Sequence, residues 1–256
     1  MKRKSGEKGK TAKKLKYLKK EKHVEEIVEK PVETMWVPPS VALSNRDKAD
    51  QIVLSQDQLT CTGEEGGYRM VRATHGVHSG PYFFEAEILQ PLGENAHFRI
   101  GWSTRQGDLQ APVGYDKWSF GYRDICGSIV HDGVRDDIYG EPFTAGDIIG
   151  CFINLDDENA DNNQIRFFKN GKDQGAAFRG RQLPLGIYFP AISLFNRAQV
   201  RVNFGPSFIL KHEIFGANAV SEVQPMSPDD RRLHEKMIFE IRKARAEQSS
   251  CGMNKL

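Results

Sequence analysis

Cysteine is scarce in this chain: Cys61, Cys126, Cys151 and Cys251 are four among 256 residues, none in a CxxC pair and none beside histidines at zinc spacing. That pattern excludes a disulfide-stapled scaffold and a zinc module, and the four read as reduced thiols, small core hydrophobes plus one in the tail. No apolar run approaches the ~20 residues that span a bilayer, and the N-terminus has no apolar stretch of the secretory kind. The expectation is therefore of no membrane association and no signal peptide. GxSxG, HExxH, the P-loop and a helix-opening GxGxxG are all missing, as is any internal repeat. His75 and His78 lie in a turn-rich stretch without ligand partners at useful spacing, so no metal is expected. Asp156, Asp157, Glu158 and Asp161 do not match the EF-hand spacing and read as a solvated hairpin loop. No pair of carboxylates stands out as a glycosidase-like couple. The chain is read as no enzyme, with no cofactor and no small-molecule substrate.

What is present begins with an asymmetry of charge. The net charge of +2 conceals eleven Lys/Arg against two Glu in residues 1–22, and 25 basic against 32 acidic residues in the rest. Lys2, Arg3, Lys4, Lys13, Lys14, Lys16, Lys19 and Lys20 make the first segment a polyanion-binding or nuclear-import tail, disordered when free. Residues 23–35 turn acidic and read as a linker. From Trp36 short apolar runs alternate at period two, broken by Gly, Pro and Asn, which predicts an all-β sandwich. In YFFEAEIL, Tyr82, Phe84, Ala86 and Ile88 share one face while Glu85 and Glu87 take the other. HFRIGW puts Phe98, Ile100 and Trp102 inward and Arg99 outward; QVRVNF does the same for Val200, Val202 and Phe204 against Arg201 and Asn203. IIGCFINL (148–155) is apolar on both faces, as a covered central strand requires. Asn170-Gly171 is the strongest hairpin signal, because both turn positions need positive φ.

Two stretches look outward to partners. Residues 93–127 mix Trp, Tyr, Pro and Arg at positions that strand periodicity leaves exposed, and these are the residue types of binding hot spots. Sandwich packing accounts for Trp102 and Phe120 but poorly for Arg99, Tyr115 and Arg123, which suit an acidic, partly apolar peptide. Further on, Ser227-Pro228-Asp229-Asp230 carries a helix start: an N-cap, a proline at the first helical position, acids in the first turn. Over 229–248, Leu233, Met237 and Ile241 form an apolar stripe with Ile238 beside it. A helix of some twenty residues is marginal alone and needs a groove, its own domain's or a partner's, to bury that stripe. The division expected is a tail (1–22), a linker (23–35), a sandwich (36–228), a helix (229–248) and a last tail (249–256).

The blocks GYRMVRATHGVHSGPYFFEAEI, FRIGWSTRQGDLQAPVGYDKWSFGYRD, GDIIGCFINL, IRFFKNGKDQG, GIYFPAISLF and VRVNFGP resemble a SPRY domain. LQAPVGYDK and GGYRMVRATHGV point to one branch, the Trauco/Ash-two (absent, small or homeotic discs two) family. The resemblance covers roughly 36–228. It implies a SPRY-type antiparallel sandwich in a non-catalytic, nuclear subunit of the COMPASS/MLL assemblies that methylate histone H3 at lysine 4. It implies three protein partners: a WD-repeat subunit of the retinoblastoma-binding-protein-five type, the SET-domain methyltransferase, and a Dumpy-30-type homodimer. The family's WD-repeat contacts match Tyr68, Arg99, Pro112, Tyr115 and Arg123, while a further basic contact is Ile125 here. The Dumpy-30 contacts fall on Leu233, Met237, Ile238 and Ile241. Animal members carry a PHD finger and a winged helix; no cysteine cluster here could form that finger, so any nucleosome or DNA contact is expected from residues 2–22. A SPRY substrate adaptor of a ubiquitin ligase is the alternative, which calls for a RING, B-box or SOCS-box beside the domain.

Overall fold

The computed structural model describes residues 40–210, 215–223 and 236. The basic segment 1–22, the linker 23–35 and, Lys236 apart, the expected helix 229–248 lie outside the described residues. With strands numbered in chain order, one sheet of seven runs β1 (Leu43–Lys48), β4 (Arg69–Ala73), β13 (Phe189–Phe195), β6 (His97–Ser103), β7 (Ser119–Arg123), β8 (Ile129–His131), β9 (Val134–Asp136). The second sheet runs β12 (Lys172–Arg179), β11 (Gln164–Lys169), β10 (Ile148–Leu155), β5 (Gly80–Ile88), β14 (Gln199–Asn203), β3 (Thr60–Gly63), β2 (Ile52–Leu54). A two-residue strand, β15 (Asn218–Ala219), pairs with β5 in parallel; the other pairings are antiparallel. This is the expected sandwich.

Period-two alternation builds the core directly. Phe84, Ala86 and Ile88 from β5, Phe98, Ile100 and Trp102 from β6, and Val200 and Val202 from β14 all enter the one large cluster between the sheets. Cys61 and Cys151 lie in that cluster as small hydrophobes. Burial pushes the Cys61 thiol up to about 12 and Cys151 higher than its ordinary value. Asn170 and Gly171, at φ 50° and 84°, make the two-residue turn between β11 and β12.

Both sheets are covered on their outer faces as well. On the second sheet, Phe83, Phe152 and Phe168 form a separate cluster under Phe208 and Ala217. Glu85, placed by alternation on the polar face, is therefore fully buried. Its carboxylate accepts from Asn203 Nδ2 at 3.0 Å and from the backbone N–H of Ile209 at 2.7 Å and Leu210 at 3.1 Å. On the first sheet, the loop between β6 and β7 folds back so that Val113 and Leu109 pack on Met70 and Ala191. Arg72, only 2% exposed, is clamped beneath it: its fork meets Asp47 at 2.7 and 3.0 Å, and Nη1 donates to Ser103 Oγ and to the carbonyls of Thr104 and Gly107.

Candidate functional site

The loop leaves part of the first sheet's outer face open, and two arginines stand there. Arg99 on β6 and Arg123 on β7 are directly opposite in the antiparallel register. On its other side Arg99 is opposite Ser193 of β13. Like charges placed face to face in a sheet repel, so the pair costs stability rather than adding to it. Tyr68, just ahead of β4, lays its ring under the Arg99 guanidinium, 5.0 Å from carbon to ring centre. Phe195 extends the shelf, 5.3 Å from Tyr68, and His97 follows at 6.0 Å. His97 Nδ1 is 2.8 Å from an Asp124 carboxylate oxygen.

A tight turn forms the other wall. The Tyr115 N–H donates to the Pro112 carbonyl at 3.0 Å, and the Val113 N–H to Ser193 Oγ at 2.9 Å. Arg99 Nη1 donates to the Val113 carbonyl at 3.4 Å. The turn rests on bare backbone: a Cβ on Gly121 would come within 2.8 Å of the Val113 oxygen, and one on Gly114, at φ 87°, within 2.3 Å of the Val130 oxygen. Two glycines thus let the turn lie low on β7 and β8, and Tyr115 in it is 59% exposed.

The electrostatics separate these arginines from Arg72. Among the described residues neither Arg99 nor Arg123 has a carboxylate oxygen within ion-pair distance, whereas Arg72 has a bidentate one. The Nε–H of each is buried and without a hydrogen-bond partner among the described residues. Burial, first of all, holds the Arg99 pKa below its ordinary value, and Arg123 pushes the same way. Burial raises the Tyr68 phenol, and Asp124 adds to that. A buried donor left unmatched is costly, and an arriving carboxylate would relieve the cost by fork-to-fork bonding.

The structure brings Tyr68, Arg99 and Arg123 together, and Pro112 and Tyr115 lie in the turn whose Val113 carbonyl accepts from Arg99. Ile125 is half-buried just past the end of β7. Leu233, Met237, Ile238, Ile241 and the eight basic residues named between Lys2 and Lys20 lie outside the described residues. Phe195, His97 and Asp124 join the groove without having been singled out. An aromatic on the outward side of the alternating run FPAISLF was the available signal for Phe195.

Comparison with known proteins adds the following. Residues 81–207 match the family described as SPRY domain. The Set1/Ash2 histone methyltransferase complex subunit ASH2 of Drosophila melanogaster is 35% identical over 210 residues, spanning 67% of this chain and 37% of that protein. Its namesake in Caenorhabditis elegans, ash-2, is 32% identical over 218 residues, 66% of this chain and again 37% of that protein. The chain thus spans little more than a third of the length of these relatives. The SPRY domain of human HERC1 superposes with a TM-score of 0.52 at 21% identity, covering 63% of this chain and 96% of that one, a likeness of fold.

Proposed function

The chain carries a SPRY domain, and from that premise we propose that it is a non-catalytic scaffold subunit of a COMPASS/MLL-type histone H3 lysine-4 methyltransferase complex, acting in the nucleus. The observation that carries this reading is the pair of arginines, Arg99 and Arg123, that have no carboxylate partner among the described residues, with Arg99 over the Tyr68 ring. It is supported by relatives named as subunits of such complexes. In this reading an acidic, partly apolar segment of the retinoblastoma-binding-protein-five-type WD-repeat subunit lies in the groove, with carboxylates on the two guanidinium forks and an apolar side chain on Tyr68 and Phe195. The 229–248 stripe of Leu233, Met237, Ile238 and Ile241 docks on a Dumpy-30-type dimer. The basic tail adds salt-sensitive attraction to nucleosomal DNA.

The scaffold acts without touching the reacting atoms. Holding the WD-repeat subunit, and through it the SET-domain enzyme, makes assembly of the active arrangement intramolecular and shifts its population upward. The test is histone H3 methylation by recombinant SET-domain and WD-repeat subunits with and without this chain. A rise in rate is expected. No rise, with the same subunits stimulated by a Drosophila ASH2 control, overturns the proposal. For the C-terminal segment, Leu233→Glu with Ile241→Glu is expected to abolish co-elution with the Dumpy-30-type dimer and leave the melting temperature unchanged. Surviving co-elution overturns that part.

A further inference from the structure

Three of the most exposed large apolar side chains cluster at one margin of the first sheet. Ile138 is 94% exposed, Val134 73% and Tyr115 59%, and the first two flank or form β9, the edge strand. Edge strands usually carry a lysine, a proline or a cover, because their unpaired N–H and C=O groups invite another strand. This one is three residues long with Arg135 and Asp136 charged, but it has no lysine or proline, nothing among the described residues covers it, and all three of its residues are exposed. It is also held firmly. Asp132 and Gly133, at φ 50° and 71°, form a two-residue turn whose N–H groups donate to the carbonyls of Asp116 and Gly114. At the other end Ser128 Oγ donates to Asp137 at 2.6 Å and Tyr139 Oη to the Gly175 carbonyl at 2.6 Å.

The register says which backbone groups face out. His131 pairs with Val134 beside the two-residue turn, so the next pair, Val130 and Arg135, is the non-hydrogen-bonded kind. The Arg135 N–H and C=O therefore point away from β8, into the open edge. The β9 turn is bonded to the Pro112–Tyr115 turn, so this edge begins on the far side of the turn that walls the arginine groove. Its charge is opposite: Arg135 is taken by Asp137 at 2.8 Å, while Asp132 and Asp136 have no cationic partner among the described residues.

We propose that the groove and the edge are one binding track, and that the partner segment lying on Arg99 and Arg123 continues over Tyr115 and adds itself to β9 as a further strand. This rests on the groove reading above. The occupant is an extended segment with an acidic start for the arginines, an apolar middle for Tyr115, Val134 and Ile138, and a basic end facing Asp132 and Asp136. Strands lie ~4.8 Å apart, so crossing from β7 to a new strand beyond β9 takes roughly 14 Å, about four or five extended residues. Three or four more then run along the edge.

The experiment is calorimetry of the full chain against the recombinant WD-repeat subunit, with hydrogen exchange read at the Arg135 amide. Val134→Lys with Ile138→Lys is expected to weaken binding about tenfold or more, from the apolar area left uncovered and the new like charge. In the wild-type complex the Arg135 amide is expected to become protected. If Arg99→Ala weakens binding while the edge variant binds as wild type and Arg135 exchanges unchanged, the single track is overturned and the groove reading stands. If the edge variant weakens binding and Arg99→Ala does not, the groove reading falls and the track, which rests on it, falls as well. If the chain alone sediments as a dimer that the edge variant dissociates, a second copy occupies β9 and the proposal is overturned.

Discussion

A chain carrying Arg99→Ala and Arg123→Ala is expected to lose affinity for the WD-repeat subunit by about 3–6 kcal/mol, since each charge-assisted hydrogen bond contributes about 1.5–3 kcal/mol. That is a weakening of roughly a hundredfold to ten-thousandfold. The same variant is expected to keep or slightly raise its melting temperature. The two cations face each other across β6 and β7, and each has a buried Nε–H without a partner among the described residues, so removing them relieves repulsion and desolvation. Arg99→Lys discriminates charge from shape. A lysine keeps the charge over Tyr68 but cannot offer the planar fork, so it is expected to fall between wild type and alanine. Calorimetry checks all three, and affinity within threefold of wild type in the double variant overturns the assignment of the groove.

Arg72→Ala is expected to do the reverse. Two strands from Arg99, its guanidinium joins β1 through Asp47 to the start of the covering loop through Ser103, Thr104 and Gly107. Truncation leaves the Asp47 carboxylate and the carbonyls of Thr104, Arg105 and Gly107 without that partner, and breaking a buried ion pair from one side costs about 3–5 kcal/mol. Urea unfolding is expected to show that loss with an unchanged slope, and the folded fraction is expected to bind the WD-repeat subunit as wild type does. A loss below about 1 kcal/mol would show that the clamp contributes no more than a surface ion pair. Binding and stability are thus expected to separate between arginines on one face of one sheet.

That separation marks the limit of what the amino-acid order discloses. Alternation in HFRIGW assigns Arg99 to the outer face, and RMVRA assigns Arg72 to the same face by the same rule. Nothing local distinguishes them. The difference is made by Asp47, 25 residues earlier, and by a loop that covers Arg72 and stops short of Arg99. Glu85 is a second instance: the period-two rule gives its face, but the burial of that face depends on Phe208, Ile209 and Leu210, more than 120 residues later. The strands, their inward sides and the Asn170-Gly171 turn are readable because local geometry decides them. Tyr68, Arg99, Pro112, Tyr115 and Arg123 are readable because SPRY-like blocks carry them. Phe195 and His97 reach the groove only through the pairing of β13 with β6, which brings together positions 98 residues apart.

The anchoring of the chain near its last described strand has a mechanical consequence. Val220 is packed into the core, the Ser221 N–H donates to the Phe204 carbonyl, and the Glu222 carboxylate accepts from the Ala219 N–H at 2.7 Å. Val223 is therefore a fixed origin for whatever follows. Ten residues separate it from Leu233, and a fully extended chain covers at most about 35 Å over that span. A protein gripping Leu233 is confined to a hemisphere of that radius around one point on the sandwich. Within such a volume a tethered partner experiences an effective concentration in the millimolar range. Lengthening the stretch between Val223 and Leu233 would widen that volume and dilute the concentration.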